Sequence, residues 1–436
     1  MAFTGVACRI RPRADIYGPA GMRSSGSSAG ESLFMINTCY LDSQDYSALT
    51  DPKLDTPERR QMCDALLRLA RSRQVRFVFS ATAVCEVVAL TPDAGLLAEM
   101  KAELLSELCG SNALVSFDRL AQAEVQALAD RSVEAPNMFD PQGRWFPEIP
   151  VEDRLHHPWA RMRELAEEEM GAMGLSRQQR RAAARKLVKN GKPRTALKEH
   201  LEQQDSRVVA AEVMKKYPMR PEYAEVMSRY ALGRASEKEF TEALMNSLVD
   251  PRWMMKWFTT QHALSSPIAD MVRKPGRDLG QLMRKLASSS NIWAMTLRDA
   301  GLDSDPTGRN GAIAKRWLAM QDQQLVNLLQ RLADATELTL GSFTAADVDA
   351  YCPGLSAGVR ALYSSVWENV GGSRKEPPSD SQPVDVLHAF YAPYVKVFRA
   401  DRFMAPHIQK QVRRHGTVVV PRLAQLLDVL DNLPKT

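Results

Sequence analysis

Leu33-Phe-Met-Ile-Asn-Thr-Cys-Tyr-Leu-Asp42 is an apolar run closed by an acid, and Val75-Arg-Phe-Val-Phe-Ser80 follows about one helix later. Between them, Met62, Leu66, Leu67 and Ala70 recur at helical spacing within 56–73, which predicts a strand, a helix and a second strand. Ser80 is placed to cap a helix carrying Glu86. A further helix over 94–108 leads to a short strand near 113–117. This β-α-β-α-β order demands parallel crossovers. In such sheets functional groups collect beyond the carboxyl ends of the strands. Asp42 stands at one such end, and Glu86 lies in the helix after the next.

The pattern changes beyond 120. Residues 121–375 read as long amphipathic helices, at 222–233, 238–248, 311–335 and 356–370, with few strand signals. Ser176-x-x-Gln179, Ser236-x-x-Glu239 and Thr344-x-x-Asp347 mark helix starts. Gly371 to Pro383 is a turn-rich linker. A helix from about Val384, a β-branched and aromatic run Tyr394 to Phe398, Asp401, a last strand Thr417 to Val420 and a final helix then resume the α/β pattern. The expected organisation is therefore a flexible arm over 1–32, an α/β domain split between 33–120 and 376–436, and a helical insertion over 121–375. An unstructured connection of that length would be exceptional, so the insertion must fold.

Asp42, Glu86, Asp385 and Asp401 are four acids at or just beyond predicted strand ends, or in the first turns of the helix that follows. Converging there, they would bind a divalent cation. Hard carboxylate oxygens suit Mg²⁺ or Mn²⁺, which keep several waters and take substrate phosphate as a further ligand. Each acid also has a local role open to it: Asp42 and Asp385 as helix caps, Glu86 as an exposed helix residue, Asp401 as the opening of a turn. Asp45 and Asp380 are neighbours that could substitute as ligands. His388, one turn after Asp385, could orient a carboxylate or donate to a phosphate. Ser43 and Thr82 could hold a water through their hydroxyls or cap local backbone.

The segments Tyr40-Leu-Asp-Ser, Phe79-Ser-Ala-Thr-Ala-Val-Cys-Glu86 and Asp385-Val-Leu-His to Phe-Arg-Ala-Asp401 together resemble the PIN-like nuclease family. The resemblance covers about 33–120 and 376–436. It implies a PIN-like parallel-sheet domain, a metal-dependent nuclease acting most often on RNA, and Asp42, Glu86, Asp385 and Asp401 as the catalytic, metal-binding carboxylates. It implies products with a 5′-phosphate and a 3′-hydroxyl. The large insertion and Lys396 depart from the family pattern and bear on substrate choice. By fold analogy alone, the biological role is that of a toxin-like or defence effector.

Of 436 residues, 44% are hydrophobic and 25% charged, an ordinary globular composition. No apolar stretch approaches a membrane span, and the first residues lack the apolar core of a secretory signal, so the expected location is the cytoplasm, with no membrane partner. The six cysteines show no C-x-x-C pairing and read as small core residues.

Net charge is +5, yet residues 176–198 hold nine Lys or Arg and no acid, leaving the remainder at −4. Arg177, Arg181, Arg185 and Lys189 recur every four residues on a helix capped by Ser176 and ended by Asn190-Gly191, with Arg180 and Lys186 nearby. Such a stripe fits a nucleic-acid backbone, single-stranded RNA in the first instance, or an acidic helix of the same chain, Glu164 and Glu167 to Glu169 being close upstream. Trp253-Met-Met-Lys-Trp-Phe258 has the spacing of buried core. The rival to an active nuclease is an inactive scaffold that binds nucleic acid or protein. A regulatory protein partner or a homo-oligomer is compatible with either.

Overall fold

The structure is a computed structural model that describes residues 37–88, 91–134, 136–146, 170–189, 192–195, 219–231, 234–260, 262–308, 310–371 and 382–434. The arm over 1–32, Asp380 and the acids Glu164 and Glu167 to Glu169 lie outside the described residues. The first elements are β1 (Thr38–Tyr40), α1 (Ser43–Thr50), α2 (Pro57–Arg71), β2 (Arg76–Val78), α3 (Ala81–Val87), α4 (Gly95–Cys109) and α5 (Phe117–Asp130). Then come α6 (Arg177–Leu187), β3 (Val188–Lys189), β4 (Lys192–Pro193), α7 (Ala224–Ala231), α8 (Glu237–Leu248), α9 (Pro251–Thr260) and α10 (His262–Asp299). The last group is α11 (Ala312–Ala335), α12 (Ala345–Tyr351), α13 (Pro353–Val370), α14 (Gln382–Ala389), β5 (Val397–Arg399), α15 (Met404–Val412), β6 (Val418–Val420) and α16 (Leu426–Asp431).

A four-stranded parallel sheet in the order β2-β1-β5-β6 organises the α/β fold. Tyr40 pairs with Phe398, and Cys39 with Val397, so the two ends of the chain meet in adjacent strands. Tyr40, Phe77, Phe79 and Phe398 are fully buried, as expected of a parallel sheet covered on both faces. Five described cysteines carry free thiols, four of them buried. Among the described residues no helix is long and apolar enough to cross a membrane.

Three boundaries differ from the sequence reading. The strand expected near 113–117 is reduced to single bridges, Phe79 with Ala113 and Leu114 with Phe139, because Ser116 takes the N-cap position of α5 and ends the extended backbone. The strand expected from Tyr394 begins at Val397, and Ala392–Tyr394 is a 3₁₀ turn. Pro393 explains this, since its fixed φ and missing N–H suit a turn better than a ladder. Pro383 belongs to α14 rather than to the linker; proline is tolerated in a helix's first turn, where its N–H would have no partner.

The chain divides into two compact units, one of 1–87, 103–147 and 266–436, the other of 88–102 and 148–265. The first unit thus includes much of the expected 121–375 insertion. The physical reason is a continuous core: Leu120, Val125, Leu325, Leu355 and Val366 pack in one buried cluster with Tyr40, Val78 and Phe398. In the second unit Met219, Met227 and Phe240 form a separate cluster, and Met254, Met255, Trp257 and Phe258 are buried, as their spacing implied. The capping boxes at Ser236 and Thr344 are formed.

A buried acid joins two helices of the first unit. Glu124 of α5 accepts N–H bonds from Gly354 (2.6 Å) and Leu355 (2.9 Å) in the first turn of α13, and the Tyr394 hydroxyl also donates to it. A carboxylate there satisfies helix-start donors and meets the positive end of the dipole. Gly354 is required because a side chain would overlap the Phe390 carbonyl oxygen. Burial still pushes the Glu124 carboxyl from 4.5 to about 7, against those bonds. Its folded form therefore holds the proton more tightly than its unfolded form, so stability is highest below about pH 4.5 and declines as pH rises to 7. The expected contribution is about 3 kcal/mol over that window. Urea unfolding of Glu124→Gln should show a flatter stability profile between pH 4.5 and 7 than the unmodified chain; identical slopes would show that Glu124 does not titrate there.

Candidate functional site

Strand order places a topological switch between β1 and β5, since the chain leaves β1 towards β2 on one side and β5 leads to β6 on the other. Loops leaving adjacent strands in opposite directions open a crevice at their carboxyl ends. Tyr40 and Phe398 are paired across it, so Asp42 and Asp401, two and three residues further on, leave the sheet at the same edge. Asp42, Asp385, Asp401 and His388 line one small cavity there, together with Arg399 and Ile408.

Two of the acids also bind local backbone, Asp42 as the N-cap of α1 and Asp401 across the turn that precedes α15. Asp42 Oδ1 accepts from the Gln44 N–H at 3.0 Å, and the Ser43 hydroxyl donates to the same oxygen at 3.3 Å. Asp401 Oδ1 accepts from the Met404 N–H at 2.5 Å, at the start of α15.

Asp385 differs. It lies in the first turn of α14, and its buried Oδ2 has no hydrogen-bond partner among the described residues. Burial, and then the fields of Asp42, Asp401 and Glu86, hold its carboxyl well above the usual range. Asp42 is raised as well, by burial first, with His388 opposing and Glu86 adding to the rise. Asp385 is therefore within electrostatic reach of the other three sequence-predicted acids, and Asp42 of Glu86.

Glu86 is held by histidine. His388 Nε2 lies 2.7 Å from Glu86 Oε2, and His388 Nδ1 lies 2.5 Å from the Tyr40 hydroxyl, itself 2.7 Å from Ser80 Oγ. Ser80 also accepts from the Ala83 N–H at 3.5 Å, capping α3. Burial works against a charged His388, but the Glu86 carboxylate outweighs it and raises the imidazole's pKa. His388 thus bonds the Glu86 carboxylate on one side and the Tyr40 hydroxyl on the other. Thr82 is buried.

Asp45 does not serve as a spare ligand, because Arg399 occupies it. The guanidinium bonds Asp45 Oδ1 through Nη2 at 2.7 Å and Oδ2 through Nε at 2.9 Å, and Nη1 donates to the carbonyls of Ala400 and Val420, the latter at 2.8 Å. Both side chains are almost fully buried. Burial pushes the Asp45 carboxyl up to about 6 even with Arg399 across it. Asp45 also accepts from the Asp42 N–H at 3.1 Å, so this pair ties α1 to β5 and brings a positive charge to the crevice, where it favours ionised Asp42. Sequence reading missed Arg399; its one signal was an arginine inside an apolar strand.

The fit to a divalent cation can be tested on these groups. The cavity is about 10 Å³, the scale at which one water-sized sphere is held. An orphaned carboxylate oxygen beside two more acids is a hard, anionic donor set that suits Mg²⁺ or Mn²⁺. Among the described residues, no three His, Cys, Asp or Glu side chains already form a ligand group. The acids border the cavity without closing on one point.

The basic stripe belongs to the second unit. Its capping box is formed, with Ser176 N–H on Gln179 Oε1 at 2.9 Å and Gln179 N–H on Ser176 Oγ at 3.4 Å. Arg177, Arg181 and Arg185 are exposed on α6, while Arg180 is half-buried. Lys189 is not on the stripe: α6 stops at Leu187, and Lys189 pairs with Lys192 in a two-stranded ribbon. Asn190-Gly191 lies outside the described residues; as a sequence, Asn-Gly favours a hairpin turn as well as a helix stop, and β-branched Val188 favours the extended form.

Comparison with known proteins finds no matching family model, no matching curated protein and no matching solved structure.

Breaking the Asp45–Arg399 pair from one side leaves a buried charge alone. Arg399→Met or Asp45→Asn should each destabilise the chain by about 3–5 kcal/mol, and the double variant should recover part of that loss. Urea unfolding of the three variants provides the check; additive losses would show that the pair is not coupled.

Proposed function

We propose that the chain is a divalent-cation-dependent nuclease that hydrolyses phosphodiester bonds in single-stranded RNA. The observation that carries this is the buried, unpartnered Oδ2 of Asp385, in the field of Asp42, Asp401 and Glu86, at the carboxyl edge of a parallel sheet. A buried carboxylate among like charges is costly unless a proton or a cation neutralises it. The PIN-like resemblance of the same four residues supplies the choice of RNA.

Asp42, Asp385 and Asp401 would hold Mg²⁺ or Mn²⁺, with Glu86 bonded to His388 beside them. A bound ion would supply Lewis acidity, activation of water at neutral pH and charge neutralisation at the leaving oxygen. The protein's own part is placement. The N–H bonds at Asp42 and Asp401 set the direction of both carboxylates. Tyr40 and His388 fix Glu86, and Arg399 offsets part of the acidic charge before substrate arrives. Pre-set groups of this kind lower the reorganisation that reaction requires.

In a cleavage assay with end-labelled single-stranded RNA, Mg²⁺ or Mn²⁺ should be required and excess chelator should silence the reaction. Asp42→Asn and Asp385→Asn should each lower the rate by roughly 100-fold or more, beyond the usual effect of losing an outer supporting group. Without cation, Asp385→Asn should melt above the unmodified chain, because it removes the repelled charge. Added Mg²⁺ should raise the melting midpoint of the unmodified chain but not of Asp385→Asn. Full activity in either variant rejects this function and favours a non-catalytic scaffold.

A further inference from the structure

We infer that a second cavity in the same unit, between α13 and the end of α15, binds the phosphodiester backbone of single-stranded nucleic acid. This rests on the proposed nuclease reading only for the choice of polyanion. The cavity holds about 410 Å³ and is lined by Asp349, Arg360, Lys410, Arg413 and Arg414, with Ser356 and Gln411. Four cations line it against Asp349, and with Asp322 also on Arg360 the local excess is two positive charges.

The cations do not have equal standing. Arg360 is committed: it bonds Asp349 through Nε at 2.6 Å and Nη2 at 2.8 Å, and lies 3.0 Å from Asp322 through Nη1. Ser356 donates to the same Asp349 carboxylate. The single acid in the lining is therefore neutralised from within. Arg414 is positioned by its bond to the Asp349 carbonyl at 2.5 Å, which leaves its charge uncompensated. Lys410 and Arg413 are exposed, and neither has an acidic partner among the described residues. Unpaired cations converging on one concavity define an anion site.

The lining also selects the anion. It contains no aromatic or aliphatic residue, whereas sites for small molecules are mostly apolar and bury most of the ligand. A base would find nothing to stack on, but a phosphate would find forked guanidinium donors and an ammonium. Location supports a chain-like ligand. Helix α15 begins beside Asp401 and carries Lys410 towards its other end, about 13 Å away at 1.5 Å per residue. That is roughly four stacked nucleotides at 3.4 Å each, so one strand can reach both cavities.

The test measures binding, not cleavage: fluorescence anisotropy of a labelled 12-nucleotide RNA with the full chain, in excess chelator, across a salt series. In Lys410→Gln/Arg413→Gln, which spares the Arg414 bond, the slope of log K against log salt should fall by up to about 1.4, at roughly 0.7 per single-strand contact. Affinity at 0.1 M salt should drop by up to roughly 25-fold, the factor that slope gives relative to 1 M. Lys410→Glu alone should weaken binding in the same direction, and an uncharged-backbone oligomer of the same sequence should be unaffected by either change. Unchanged affinity and slope, an equal loss for the uncharged oligomer, or no binding by the unmodified chain overturns the inference. A chain that binds through these residues yet cuts nothing upholds the cavity and rejects the nuclease reading.

Discussion

Pairing of β1 with β5 is the constraint on which everything else depends. It joins Cys39 and Tyr40 to Val397 and Phe398, closing a loop of more than 350 residues. Loop closure costs only a slowly growing entropy, and the contacts it allows are large: Tyr40 stacks on Phe398 and on Tyr391 in the buried core. The Asp45–Arg399 pair fastens the same two segments a few residues further on. Only with this register do Asp42 and Asp401 share an edge.

The crevice that results concentrates negative charge in a poorly solvated place. Carboxylates are not collected there by stability, since burial and mutual repulsion raise both Asp42 and Asp385. The surrounding residues limit the cost: N–H donors at two acids, His388 against Glu86, Arg399 beneath. What is left uncompensated is the Asp385 oxygen. Local violation of stability with compensation around it is the usual mark of a functional site. The acidic crevice and the basic cavity both draw on one short helix, α15, which lends Ile408 to the first and Lys410 to the second.

Much of this was legible in the residues. Strand-closing acids, the Ser80 cap, the capping boxes at Ser236 and Thr344 and the apolar spacing of Met254 to Phe258 are local patterns, and local patterns survive without knowledge of partners. The parallel sheet followed from strand and helix alternation. Long-range pairings did not. Glu124 has the look of an ordinary helix acid until α13, some 230 residues later, presents its first turn. Asp45 read as a neighbouring ligand because its partner lies 354 residues away. Lys410, Arg413 and Arg414 make a modest cluster in the chain, and only Asp349 and Arg360 turn it into a cavity. Lys189 was misplaced for a different reason: Asn190-Gly191 can end a helix or turn a hairpin, and Val188 favours the hairpin.

The central claim is that Asp42, Asp385 and Asp401 surround a divalent cation. Anomalous X-ray scattering from crystals grown with Mn²⁺ tests it most directly. The account predicts a peak in the cavity between Asp42, Asp385 and Asp401, at the roughly 2.0–2.3 Å that hard cations keep from carboxylate oxygens, with Asp385 Oδ2 among its ligands. A full-occupancy Mn²⁺ elsewhere on the chain, with Asp385 Oδ2 still unpartnered, would contradict it.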